Sequence, residues 1–384
     1  MRRKKIFSLT AIVCIAVAAA LLLSGCSLVK HEGAGTSPVK GWKPESHMKL
    51  KYAEQFAVDY YKGGYKCIKL HDGSQFLVVP EGKKVPKGLK KDVVVLQQPL
   101  DHIYLAATAS MCLFDKLDGL DNIKYSGAQA EDWYIQNART AMEQGRITYA
   151  GKYDQPDYEM LASGQCDLAI ENTMINHAPD VKKKLEEFNI PVFTDQASLE
   201  KEPLGRTEWI KVYGAMLNKE DQADKIFNDQ VKKVKNIKKR DTGKTVAFFT
   251  ILPSGQVVVR KSGDYVSRMI EMAGGEYVFR NIGDPDDARA TVTIDMEEFY
   301  KKAKDADVLI YNSTIEGPID SMDQLKAMSP LMKNFKAVKT GNVWCTGQNM
   351  YQDTTSVGQM VLDINTILTS ETASDSLTYL KKLS

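Results

Sequence analysis

The chain is poor in the residues that most often carry chemistry. Its 384 residues include five histidines and six cysteines. His31, His47, His71, His102 and His177 stand singly, so no spacing marks a metal site or an acid–base pair. There is no C-x-x-C, no H-E-x-x-H helix and no G-x-S-x-G elbow. Gly243-Lys244-Thr245 has the tail of a phosphate-binding loop, but Lys238 stands where that loop requires glycine. An excess of one charge is also missing. With 51 Lys and Arg against 49 Asp and Glu, the surface carries no electrostatic footprint for nucleic acid. The runs Lys182–Lys184 and Lys232–Lys239 fall in helical patterns and read as solvated faces. These absences weigh against an enzyme and against a resident metal or cofactor. The rival reading, a lipid-anchored α/β enzyme, needs a nucleophile–base pair or ligand cluster assembled only in three dimensions.

Long hydrophobic runs are absent except at the start. Arg2, Arg3, Lys4 and Lys5 precede an apolar stretch from Ile6 to Leu23, the layout of a secretory signal. About 18 apolar residues also just span a bilayer. The run closes, however, on Leu21-Leu22-Leu23-Ser24-Gly25-Cys26, and a polar stretch follows. That ending resembles the lipobox of bacterial lipoproteins, where the signal peptide is removed before a cysteine whose thiol carries the lipid. The resemblance implies cleavage of residues 1–25, lipid on Cys26, and a body tethered to the extracytoplasmic face of the cell membrane. Of the remaining cysteines, Cys67, Cys112, Cys166 and Cys345 sit among apolar neighbours and read as buried thiols. Disulfide pairing among them is not readable from spacing.

The rest of the chain exceeds one ordinary core, so two lobes are expected. Residues 26–50, rich in Gly, Ser, Lys and Pro, read as a flexible tether. Residues 51–217 read as an N-terminal α/β lobe. It opens with a hairpin over 66–79 around His71-Asp72-Gly73-Ser74. Val93 to Leu96 reads as a buried strand and Leu100 to Leu113 as an apolar helix. Strands are expected at 122–126, 168–170 and 191–194, and helices at 130–144, 158–163 and 179–187. Over residues 218–240, Ala223, Ile226, Phe227, Val231, Val234 and Ile237 recur at helical spacing. Thr242-Gly243 stops this long helix. Residues 241–384 read as a second α/β lobe, with strands at 245–250, 277–279, 308–311 and 342–345. The fold class is therefore α/β: two lobes with mostly parallel central sheets, joined by one long rigid helix, with a ligand cleft between them.

Several segments carry a family resemblance over roughly residues 90–370. Tyr158-Glu159-Met160-Leu161 running into Cys166-Asp167-Leu168-Ala169-Ile170 is similar to a Glu-bearing helix leading into a Pro-Asp-Leu-Val strand, with Cys166 replacing the proline. Phe248 to Gly255, then Arg268 to Phe279 with Ala273-Gly274-Gly275, resembles the opening of a second lobe. Ile294 to Tyr300 running into Ala306 to Ile310 repeats the Glu-helix-strand device. Pro203-Leu204-Gly205-Arg206-Thr207-Glu208-Trp209 is similar to iron-chelate members. Together these resemble the substrate-binding lipoproteins of bacterial ABC importers that handle iron-siderophores, haem and cobalamin.

The resemblance implies a monomeric receptor with no cofactor of its own. Its partners are the importer's permease and ATPase subunit, and its ligand is an iron chelate, with haem or cobalamin as the alternative. One carboxylate per lobe is implied to dock on the permease: Glu159 and Glu297, with Glu298 the match if no insertion is allowed. Loops at the carboxyl ends of parallel strands line the crevice of such sheets. That rule selects Gln97, Gln98, Glu171, Asn172, Thr173 and Met174 on one wall. Pro253, Ser254, Asn312, Ser313, Thr346 and Tyr351 fall on the other, with Arg206 and Tyr265 as further candidates. Arg would fork onto carboxylate or catecholate oxygens, and Tyr and Met would cover a flat macrocycle.

Overall fold

The computed structural model describes residues 37–237, 241–284, 291–370 and 373–384. The stretch read as a signal segment, and Cys26, lie outside them. The fold begins with a sheet of order β1-β2-β3-β4-β5: Ser46–His47, Phe56–Tyr60, Lys66–Leu70, Gln75–Val79 and Val93–Gln97. β2 to β4 form an antiparallel meander. Between β3 and β4, Gly73 takes a left-handed φ of 92° and the Ser74 amide bonds the Asp72 carboxylate at 2.9 Å. The 66–79 hairpin is thus where its turn residues point.

Two expectations for this region do not hold. The stretch read as a tether is folded onto the sheet from Val39, which is 2% exposed and bridges Leu89. Trp42, from the same stretch, packs on an outer patch of Leu77, Val79 and Val93. Two apolar residues in a polar stretch have no period, so nothing in the pattern marked them. Val93–Gln97, in turn, does not open the α/β sheet but pairs parallel to β4 at the edge of this first sheet.

The second sheet, order β12-β11-β6-β7-β8, is wholly parallel. It comprises β6 (Ile103–Leu105), β7 (Ile123–Ser126), β8 (Thr148–Tyr149), β11 (Leu168–Asn172) and β12 (Val192–Asp195), with a small hairpin of β9 (Gly151–Lys152) and β10 (Gln155–Pro156) beside it. The apolar run at 100–113 is therefore a strand followed by a turn and the short helix Met111–Lys116, not one helix. A strand buried on both faces and a buried helix look alike by periodicity. Likewise the 130–144 helix starts only at Gln136, because Trp133 takes an extended conformation.

The Glu220–Lys235 helix links the lobes and is about 24 Å long over its 16 residues. Asn218, left-handed at φ 57°, separates it from the Ile210–Leu217 helix. Ala223, Phe227, Val231 and Val234 are buried at three- and four-residue spacing. They pack on the Ile210–Leu217 helix on one side and the Val357–Thr369 helix on the other. Residues 238–240 of the expected helix lie outside the described residues.

The C-terminal lobe carries a seven-stranded sheet, order β16-β14-β13-β17-β18-β19, with β15 also on β13. Its strands are β13 (Lys244–Ile251), β14 (Val257–Arg260), β15 (Gly275–Tyr277), β16 (Thr291–Ile294), β17 (Val308–Tyr311), β18 (Val343–Thr346) and β19 (Leu380–Lys382). β15, β13, β17 and β18 run parallel, while β14 and β19 turn back antiparallel. No helix among the described residues is long and apolar enough to cross a membrane.

Candidate functional site

The three parallel strands β6, β11 and β12 end on one side of the N-terminal sheet. The turns that follow them, Ala107–Ser110, Asn172–Met174 and Asp195–Ser198, form one wall of a cleft of about 610 Å³. Arg206, from the short helix Pro203–Glu208, lies on the same wall. The facing wall is built by Arg260 at the end of β14, Asp264 and Tyr265, Met350, Tyr351 and Thr354, and the Val357–Thr369 helix through Val357 and Met360. The volume is within the usual range for a small-molecule site.

Four side chains form a chain across the lobe boundary. The Arg206 guanidinium lies 3.9 Å from the Tyr265 ring centroid. The Tyr265 and Tyr351 rings are 6.3 Å apart, and the Arg260 guanidinium is 5.1 Å from the Tyr351 ring. Arg206 is also oriented by donating to the Ser198 carbonyl at 2.8 Å and the Glu200 carbonyl at 3.4 Å. Burial lowers its pKa, yet a guanidinium keeps its charge at any physiological pH. Arg260 approaches Asp264 at 3.6 Å. Asp264 in turn caps the Tyr265–Met272 helix, accepting from the Val266 amide at 2.9 Å. Burial pushes the Tyr265 phenol well up, so its ring faces the cleft as a neutral phenol. The other acid on the wall, Asp195, is occupied by Ser110 Oγ at 2.7 Å, the Ala197 amide at 2.8 Å and the Tyr213 hydroxyl. One lip is drawn together by bonds between lobes: Tyr134 donates to Gln348 and Gln352, both at 2.8 Å, and Gln352 donates to the Asp132 carbonyl at 2.7 Å.

Of the residues selected from sequence, Asn172, Thr173, Met174, Arg206, Tyr265 and Tyr351 line this cleft. The others do not. Gln97 and Gln98 end a strand of the first sheet, where Gln98 is buried and donates to the Met216 carbonyl at 2.6 Å. Glu171 is fully buried behind the wall. Pro253 and Ser254 are the exposed tip of the β13–β14 hairpin, closed by the Leu252 amide on the Gln256 carbonyl at 2.8 Å. Ser313 and Thr346 bond each other across two strand ends, Asn312 accepts from Thr314, and all three are 0–3% exposed. Sequence reading missed Arg260 and Asp264. The available signals were a cation closing the β-branched run Val257-Val258-Val259 and an acid at the N-cap of a helix.

Among the described residues, one cluster has the composition of a metal site: Asp101, His102 and Asp167. It sits at the opposite, N-terminal ends of β6 and β11. His102 bonds Asp101 at 2.7 Å, and one Asp167 oxygen accepts both the Asp101 and His102 amides. The four described cysteines are free and buried, as the apolar neighbourhoods imply.

Comparison with known proteins agrees with this architecture. An uncharacterised lipoprotein of Methanocaldococcus jannaschii is 26% identical over 94% of this chain and 92% of its own length. A petrobactin-binding protein of Bacillus subtilis superposes with a TM-score of 0.57 at 16% identity, covering 71% of this chain and 93% of that one. A periplasmic haem-binding protein of Vibrio cholerae gives 0.57 at 14% identity, covering 70% and 98%. The periplasmic binding protein family model matches residues 114–350, more than half of the chain. Its members hold solutes without transforming them. With two α/β lobes hinged on one helix and a solute-sized cleft between them, this chain belongs to the periplasmic binding protein family.

Proposed function

We propose that the protein is the lipid-anchored receptor of an ABC importer, capturing an anionic ferric chelate of the siderophore type. The observation that carries this reading is the Arg206–Tyr265–Tyr351–Arg260 array across the cleft. Two fixed cations joined by phenol rings suit a ligand that is aromatic and negatively charged. The description of one structural neighbour as petrobactin-binding agrees with it. Haem is the second reading, favoured by Met174, Met350 and Met360 on the same walls.

A thermal-shift screen of ferric tris-catecholate, ferric citrate, ferric trihydroxamate, haem and cobalamin tests it. At a hundredfold excess over Kd, a cognate ligand stabilises by about 2.7 kcal/mol, a rise of a few degrees. Arg206→Ala is expected to weaken ferric tris-catecholate by roughly ten- to a hundredfold through lost charged hydrogen bonds. The chelate reading fails if only haem or cobalamin produces a shift.

Docking on the permease through Glu159 and Glu297 belongs to the same proposal. Both are exposed in the first turns of helices, at Tyr158–Ser163 and Met296–Ala303. The neighbouring Glu298 pairs with Lys302 at 3.1 Å, which favours Glu297 as the docking group. Glu159→Arg is expected to abolish uptake in cells while the purified protein binds as before. A parallel fall in affinity would remove Glu159 from the docking surface.

A further inference from the structure

The first sheet precedes residues 114–350, the span that the family model matches, yet it is bolted to the segment that carries Arg206. Five consecutive backbone amides point at two buried carboxylates. The Lys51 amide reaches both oxygens of Glu208 at 2.9 Å, and the Tyr52 and Ala53 amides reach Oε2 at 2.7 and 3.0 Å. The Glu54 and Gln55 amides reach the Glu200 carboxylate at 2.9 and 3.0 Å. Glu208 is 0% exposed and Glu200 1%. Trp209 Nε1 adds a third bond to Glu200 at 2.9 Å, and Lys211 neutralises Glu208 at 3.0 Å. Gly205 lets the chains meet this closely, since a Cβ there would lie 3.1 Å from the Tyr52 carbonyl and 3.3 Å from Glu200.

Arg206 stands between these two anchors in sequence. Its Nε donates to the backbone carbonyl of Glu200 itself, and its Nη2 to that of Ser198. The direction of the guanidinium is therefore set by the backbone at 198–200, and the side chain of Glu200 ties that backbone to the first sheet. We infer that the Lys51–Gln55 segment clamps Glu200 and Glu208 so as to aim Arg206 into the cleft, with Glu200 the positioning residue. This rests on the proposed role of Arg206 toward an anionic chelate. The first sheet is then part of the binding apparatus although none of its residues lines the cleft.

Glu200→Gln in the full chain tests the clamp, read with ferric tris-catecholate (trianionic) and a ferric trihydroxamate that carries no negative charge. About a tenfold loss of catecholate affinity is expected, with the trihydroxamate unchanged. The double variant with Arg206→Ala should lose no more than Arg206→Ala alone. Additive losses, or equal losses for both chelates, overturn the inference in favour of a general role in folding. A ligand-free readout separates this from failure of the receptor reading: the Arg206 Nε–H resonance, assigned by its disappearance in Arg206→Lys. Glu200→Gln should shift or broaden it. If the wild type binds neither chelate, the functional reading falls while this resonance still decides the clamp, and an unchanged resonance overturns it. Should Glu200→Gln not fold, Trp209→Phe removes one donor from the same carboxylate and is read the same way, with a loss of about threefold expected.

Discussion

The two lobes end a central strand on the same device and use it differently. β11 closes with Glu171-Asn172-Thr173 and β17 runs into Tyr311-Asn312-Ser313. Each asparagine caps the turn that follows, Asn172 accepting from the Met174 amide at 2.8 Å and Asn312 from the Thr314 amide at 3.2 Å. Only the first lines the cleft. The difference lies in the neighbouring strand. Beyond β6 come Ala106 and Ala107, whose amides both bond the Ile170 carbonyl, and small side chains there leave space above Asn172. Beyond β17, Thr346 at the end of β18 accepts from the Ser313 amide at 3.0 Å, and its carbonyl takes the Ser313 hydroxyl at 2.5 Å. That pair seals the C-terminal strand end. Strand direction selects which end of a sheet faces the crevice, and the residues across the ladder decide which ends stay open.

The residue before each asparagine extends the contrast and carries the largest expected effect. Tyr311 and Glu171 are both fully buried with side-chain oxygens that bond nothing among the described residues. A phenol stays neutral there at physiological pH, while a carboxyl must hold its proton to do so. The groups facing Glu171 are the phenols of Tyr104 and Tyr158, which supply no countercharge. Burial pushes its carboxyl from 4.5 up to about 8. The folded state thus binds this proton more tightly than the unfolded chain. The stability it contributes is complete below about pH 4.5 and is lost as pH rises toward 8. At pH 7 the deficit is roughly 3 kcal/mol at 1.36 kcal/mol per pH unit. Glu171→Gln is expected to flatten this dependence, and denaturant unfolding at pH 5 and pH 8 measures it. The N-terminal lobe is not under this strain if the two proteins lose stability in parallel across that range.

The same contrast explains what sequence could reveal. Ala223, Phe227, Val231 and Val234 announced the linking helix because a single amphipathic face needs no partner to be recognised. The strand read at Val93 to Leu96 belongs to the first sheet, and the helix read at Leu100 to Leu113 contains the strand Ile103–Leu105. Their hydrophobicity records burial, complete over Ile103–Leu105 and partial over Val93–Gln97, and says nothing of which strand lies alongside. In the cleft, Arg206 and Tyr265 were found, but their stacking at 3.9 Å depends on a contact between lobes that no local pattern encodes. Arg260 and Asp264 were missed for the same reason. Asn312 and Ser313 were misplaced because their exposure is settled by Thr346, 33 residues downstream of Ser313.

A smaller effect separates the two asparagines directly. Losing an Asx cap costs about 1 kcal/mol in either lobe. Asn312 also holds the Thr314 hydroxyl at 2.7 Å and is 2% exposed. Asn312→Ala therefore strands a further polar group, and a total of about 1–2 kcal/mol is expected. Because the sealed strand end does not reach the cleft, this variant should bind ferric tris-catecholate like the wild type. Asn172→Ala should show the reverse: a loss of at most about 1 kcal/mol in stability, since its site is partly open, and a severalfold loss of affinity. Melting temperature and chelate titration on both variants give the four numbers needed. If Asn312→Ala weakens the chelate as much as Asn172→Ala does, the C-terminal strand end opens on binding and the seal at Thr346 is a gate.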